Sequence, residues 1–287
     1  MSFANWAVRN SRIASNPFAR LPVANEAADR RRTRRPMTMV ELARLLEVAR
    51  RRPLAEFGRR SVHLPKEQRI GRKTWSKAPL TWETLDAAER RARKRLADNP
   101  DFMAELESRG QQNAMFYRLA AYTGLRKGEL ASILLRDIHL DATTPYLELR
   151  AEKSKSGKGA KLPLKAELVE IVRDFIARQP CHPDSPPFKA PTLPTFNLDL
   201  AAAGIEKTDS RGRTLDIHAL RHTFGTMLAR SGVSPRTAQE LMRHSDIRLT
   251  TNIYQHLELI DTANAIEMLP DLEETPMATA MMSHLSS

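Results

Sequence analysis

Tyr254 closes a run of basic and imidazole side chains, HALRHTFGTMLARSGVSPRTAQELMRHSDIRLTTNIYQH, from His218 to His256. Within it His218 and Arg221 lie three apart, and His244 precedes the tyrosine by ten residues. Upstream, TGLRKGEL supplies Arg126 and Glu129, and EKSKSGKGAKLPL supplies Lys153, Lys155 and Lys158. Cutting a phosphodiester needs a nucleophile, charge stabilisation on the non-bridging oxygens and a proton donor for the leaving oxygen. A site without a metal builds all three from side chains. A phenol is a weak nucleophile near its free pKa of ~10, so Tyr254 needs a proton acceptor and cationic neighbours. Arg126 and Arg221 suit a phosphate clamp, because a guanidinium is planar, permanently charged and donates paired hydrogen bonds. Against these readings stand blander ones: a half-buried packing tyrosine, an Arg126–Glu129 surface pair at i,i+3, and a histidine favoured by a helix C-terminus.

His218 and Arg221 share one helical face, since three residues make nearly one turn. His222 lies one turn from His218 and invites a metal reading, but HALRH lacks the glutamate of HExxH and no third ligand is evident. No metal site is expected.

The motifs TGLRKGEL, SKSG, HALRHTFGTMLARSG and HSDIRLTTNIYQH, in that order between Asn113 and His256, resemble the tyrosine recombinase (phage integrase) family. The resemblance implies a catalytic set of Arg126, Lys155, His218, Arg221, His244 and Tyr254, with Glu129 supporting Arg126. Lys155 is chosen because S-K-S-G is similar to the family's S-K-T-G hairpin motif. Arg126, Arg221 and His244 would hold the phosphate, His218 would take the tyrosine proton, and Lys155 would protonate the leaving 5′ oxygen. The product would be a 3′-phosphotyrosyl bond, formed without cofactor, metal or ATP. The implied partner is double-stranded DNA, cut site-specifically for integration or excision by a homotetramer on paired sites. The alternatives are a type IB topoisomerase-like relaxation through the same adduct and a truncated, non-catalytic DNA-binding remnant.

The elements that must position these residues read as α+β, predominantly helical, with a small antiparallel β-hairpin or sheet. Thr38 and Glu41 form a capping box for a helix over about 39–51. Residues 53–80, with three prolines, read as an irregular basic surface insertion. Helices are expected near 84–97, 102–108, 113–122 and 127–134. PYLELRA alternates apolar and polar as a strand, and 161–164 returns from a tip carrying three lysines. Further helices follow at 165–178, 195–203, 218–230, 235–242 and 248–255. The expected division is a remnant of a core-binding domain with a basic linker over 1–37, a catalytic domain over 38–269 holding a basic insertion at 53–110, and a loose acidic tail over 270–287. Only about sixteen residues precede the linker, so the chain resembles the catalytic domain almost alone.

The charge of +12 is unevenly placed: residues 1–79 carry 19 Lys/Arg against 6 Asp/Glu, and the other 208 carry 27 against 28. A basic front suits a polyanion, through counterion release. Arg30, Arg31, Arg32, Arg34 and Arg35, with Lys153 and Lys158, are the DNA-binding candidates. One cysteine, Cys181, excludes an internal disulfide framework. No apolar run approaches membrane-spanning length and the N-terminus has no secretory h-region, so a cytoplasmic, DNA-associated protein is expected.

Overall fold

In the computed structural model the described residues are 3–20, 33–69, 74–154, 157–179 and 182–254. They fall in two units, 1–33 and 34–287. The first carries α1 (Phe3–Arg9), with the rings of Phe3 and Trp6 stacked at 5.7 Å.

The second unit opens on α2 (Met39–Ala55). Its capping box forms as read: Thr38 Oγ1 accepts from Glu41 N at 3.1 Å, and Glu41 Oε2 accepts from Thr38 N at 2.8 Å. The helix runs four residues past its expected end, through Pro53. Burial of Leu54 and Ala55 outweighs the missing N–H. The following stretch is not irregular as expected. It contains a hairpin of β1 (Ser61–His63) and β2 (Trp75–Lys77), paired antiparallel with Val62 opposite Ser76. All three β1 residues are exposed, so these three-residue strands leave no alternation to read.

After α3 (Leu85–Arg95), α4 (Pro100–Thr123) is one helix of 24 residues where two were expected. Asn99 Oδ1 caps it by accepting from Phe102 N, and Gly124, with φ +62°, ends it. Gly110 lies inside α4 because α2 passes there: a Cβ on Gly110 would meet Arg50 O at 1.9 Å. Gly110→Ala is therefore expected to lower stability by about 1–3 kcal/mol through forced separation of the helices. That outweighs the ~1 kcal/mol gained in helix propensity. A urea midpoint equal to or above wild type would contradict it.

A buried network fixes the same helices. Asp199 accepts from Arg52 Nε at 2.6 Å and from the Tyr117 hydroxyl at 2.8 Å. Asp199 lies on α7 (Leu193–Ala202), which follows α6 (Ala166–Ala177). Between α4 and α6 come α5 (Lys127–Ala131), shorter than expected, and a sheet of β3 (Ile138–His139), β4 (Tyr146–Leu149) and β5 (Ala160–Pro163). The sheet is antiparallel in the order β3-β4-β5, and the two-residue β3 was not foreseen. Leu147 and Leu149 point into the core, as the PYLELRA alternation implies. Then come α8 (Ala219–Arg230), α9 (Pro235–Met242) and α10 (Arg248–Tyr254), all close to expectation. The result is a predominantly helical α+β fold with small antiparallel sheets. Among the described residues no helix is long and apolar enough to cross a membrane.

Candidate functional site

Gly124 turns the chain out of α4 so that Arg126 starts α5. Glu129, 3% exposed, accepts from Arg126 N at 3.0 Å and from Arg126 Nη1 at 2.8 Å. It also accepts from Arg243 Nη2 at 2.9 Å. Burial works to raise the Glu129 pKa, but hydrogen bonds from Arg126 and the charges of Arg243 and Arg126 bring it below the usual carboxylate range. One carboxylate thus holds two guanidiniums.

Arg221 projects from α8 and is 3% exposed. It donates to Gly124 O at the end of α4 and to Met242 O at the end of α9. Carbonyls at helix C-termini lack intrahelical donors, so one arginine satisfies two helix ends and joins three helices. Burial, then the charges of Arg126 and Arg243, pull its pKa down against the opposing pull of Glu129. A guanidinium remains cationic under such shifts.

His244 follows α9. Its Nδ1 lies 2.9 Å from the buried Thr250 Oγ1 on α10, and its carbonyl accepts from Gln239 Nε2. Burial first, then Arg221, Arg126, His222 and Arg243, push its pKa down to about 4. His218, immediately before α8, is pushed down to about 4 by burial and then by His222, Arg34 and Arg221. His222 is lowered by burial and then by Arg34, and its ring centre lies 5.7 Å from that of His218. Arg126, Arg221, Arg243, Glu129, His218, His222 and His244 therefore form one electrostatic cluster, and its imidazoles are neutral at pH 7. Three guanidiniums against one carboxylate suit an oxyanion.

This electrostatics has a consequence for stability. The unperturbed histidine value is 6.5 and the folded value of His218 and His244 is about 4. Between those values the unfolded chain binds protons that the folded chain refuses, so stability rises with pH. The contribution is complete above about pH 6.5 and is lost as pH falls toward 4. Melting temperature should drop across that window, and a flat profile from pH 7 to 5 would refute the neutral assignment.

Tyr254 is the last described residue of α10, which is well anchored. A Cβ on Gly225 of α8 would meet Ile253 Cδ1 at 2.6 Å, and Thr250 touches His244. The Tyr254 hydroxyl, however, donates to Val233 O at 2.5 Å. No hydrogen bond among the described residues joins it to the cluster. Burial raises its pKa. The tyrosine is thus on a helix docked against the cluster but turned to a loop carbonyl.

Other expected residues fare differently. Lys155, Arg30, Arg31 and Arg32 lie outside the described residues. Lys153 and Lys158 are exposed on the β4–β5 connection. Arg34 and Arg35, read as candidate DNA contacts, are engaged within the protein. Arg34 pairs with Asp216 at 2.8 Å. Arg35 grips Glu41 at 2.7 and 2.9 Å and also donates to Glu206 O. Arg35 is largely buried, which suits bracing the α2 cap rather than reaching a ligand. Arg243 was missed altogether, and His222 was weighed only as a metal ligand. Arg243 has φ 52°, a left-handed conformation that favours glycine or asparagine, and its buried Nε has no partner among the described residues. Its position beside His244 is the only sequence signal that points to it.

The chain belongs to the phage integrase family, whose model matches residues 92–259. It is 31% identical over 157 residues to tyrosine recombinase XerA of Saccharolobus solfataricus, covering 53% of this chain and 48% of that one. It is 26% identical over 208 residues to a XerC-like tyrosine recombinase of Caldanaerobacter subterraneus, covering 57% and 50%. The chain thus spans about half the length of these curated relatives. Among solved structures, a XerA recombinase aligns at TM-score 0.48 with 16% identity over 92% of this chain and 72% of that one. The catalytic domain of bacteriophage HP1 integrase aligns at 0.45 with 15% identity over 83% and 96%.

Proposed function

We propose that this chain cuts and rejoins duplex DNA at specific sites through a 3′-phosphotyrosyl intermediate, as a site-specific recombinase. The observation that carries the reading is the cluster itself. Arg126, Arg221 and Arg243 converge with a single carboxylate, beside neutral histidines and a tyrosine-bearing helix docked on the same elements.

In this reading Arg126 and Arg221 bind the non-bridging oxygens of the scissile phosphate. If Thr250 donates to His244 Nδ1, the Nε2–H is free to donate to the same phosphate. Tyr254 leaves Val233 O and its phenolic oxygen attacks phosphorus. His218, neutral at working pH, accepts the phenolic proton. The P–O5′ bond breaks as the Tyr–O–P bond forms, and Lys155 gives the departing 5′ oxygen its proton. Reversal by another strand's 5′ hydroxyl restores the tyrosine. The phosphoester bond is conserved, so the step needs no ATP and calls on no metal ligand or cofactor. Four copies on two duplexes would carry out the exchange.

Covalent trapping tests the proposal. Nicked duplexes spanning the DNA beside this gene are incubated with the protein in chelator and separated under denaturing conditions. An SDS-stable adduct on the peptide containing Tyr254 supports it. Salt-sensitive binding without an adduct, even when the other half of the relatives' length is supplied, overturns the catalytic reading.

A further inference from the structure

Much of the basic segment that the proposed chemistry leaves unused lies within the described residues. Between Arg59 and Lys77 the sequence holds seven Lys/Arg and one acid, and the last six residues of α3 hold five more cations. Most of this lies before residue 92, where the family match begins. Some of these cations are structural. Arg59 braces the hairpin by donating to Ala78 O at 2.6 Å and Lys77 O at 2.9 Å, and Arg93 pairs with Glu89 and Glu107. Arg91 and Arg95 donate to Gly58 O and Phe57 O in the turn that leads into β1.

Those carbonyl bonds hold Arg91 and Arg95 over the same turn, and the charges of Arg60 and Arg90 act on Arg91. Arg91 is pulled down first by burial and then by the charges of Arg60, Arg95 and Arg90. None of Arg60, Arg90, Arg91, Lys94 and Arg95 pairs with a carboxylate among the described ion pairs. Cations in a last helical turn are favoured by the helix dipole, but that does not account for Arg60, which is not on α3. Folding has therefore assembled like charges without neutralising them. Beside them the hairpin presents Trp75, 58% exposed and set edge-on to His63 at 5.0 Å.

A run of unneutralised guanidiniums and an ammonium on an exposed ridge is complementary to regularly spaced phosphates, not to a single small anion in a pocket. We propose that the C-terminal half of α3 and Arg60, at the entry to β1, form a second DNA-backbone contact, separate from the Arg126–Arg221 cluster. This rests on the proposed DNA-cutting function. Its distance from that cluster follows from α2. The α2 start is fixed near α8 by Met37 N donating to Thr223 Oγ1, and its end feeds the Gly58 turn. Seventeen residues at ~1.5 Å each make roughly 25 Å, or about seven base pairs of duplex. The contact would grip DNA flanking the cleavage point.

The test neutralises the exposed Arg60, Arg90 and Lys94 together (R60Q, R90Q, K94Q). No described hydrogen bond or ion pair involves their side chains, so melting should be unchanged. Duplex affinity is measured against salt beside a control with three exposed arginines neutralised elsewhere (R136Q, R173Q, R178Q). The expected result is a log–log salt slope shallower by about 2–3 in the first variant, at ~0.9 for each phosphate left without its cation, and little change in the control. Adduct formation at saturating DNA should match wild type. An unchanged slope, or an equal reduction in both variants, overturns the contact while leaving the DNA-cutting reading intact. A wild-type protein without salt-dependent duplex affinity overturns both.

Discussion

Tyr254→Phe should abolish the covalent protein–DNA adduct while duplex affinity and its salt dependence stay at wild-type values. The substitution removes one oxygen, the proposed nucleophile, and leaves the guanidinium cluster untouched. Its structural cost is small. The hydroxyl bonds one loop carbonyl, Val233 O, worth about 0.5–1.5 kcal/mol net, and Tyr254 is only half-buried, so water can take its place. A modest fall in melting temperature with complete loss of adduct would separate chemistry from folding. An adduct persisting in the Phe variant would defeat the assignment, and the other tyrosines show how informative that would be. Tyr117 is fully buried and bonded to Asp199, with its pKa raised by burial and by that carboxylate. Tyr146 stacks on His139 at 4.4 Å and carries Lys161 over its ring. Neither is free to approach a phosphate without unpacking the core or the sheet.

The contact of Tyr254 with Val233 also bears on rate. In the proposed reaction the phenol exchanges a carbonyl acceptor for an imidazole before it attacks, and α10 is pinned by Ile253 and Thr250. The motion required is therefore of the side chain and the last turn, not of the whole helix.

How much of this was legible in the sequence depended on the kind of signal. Caps were read well, because they are local chemistry. Thr38 with Glu41 opens a helix where expected. The bounds of α8 and α9 fall close to the expected 218–230 and 235–242. Gly110 lies in the gap left between the helices expected at 102–108 and 113–122, and a glycine that ends a helix and one that admits a neighbouring helix look alike in one dimension. The answer lay in Arg50 O, sixty residues back. The hairpin at 61–77 was illegible for another reason: its strands bury no face, so no period-2 pattern arises. The site divides the same way. Arg126, Glu129, His218, Arg221 and His244 were found from motif order, and the structure gathers them in one cluster. The direction of the Tyr254 hydroxyl was not legible, because rotamers follow from packing.

Arg243 left only its place beside His244 as a signal, and replacing it carries the second large expected effect. Its guanidinium shares Glu129 with Arg126, so it acts on the proposed phosphate clamp through one carboxylate. Without it, Glu129 keeps only its bonds from Arg126, and the carboxylate that orders Arg126 loses its second guanidinium. The cluster also loses one of three cations. Removal of one preorganised donor from such a site typically costs 100-fold or more in rate, and a comparable loss in adduct formation is expected for Arg243→Gln. Arg243→Gly distinguishes a chemical role from a structural one. At φ 52° a non-glycine residue stores about 1–3 kcal/mol of strain, which glycine relieves. The Gly variant should therefore be the more stable of the two, yet equally slow. If Arg243→Gly restores or preserves the rate, the cation has no part in the chemistry and the residue serves only to fill the space behind Glu129. If both variants lose rate while their stabilities diverge, the clamp consists of three guanidiniums ordered by one buried carboxylate.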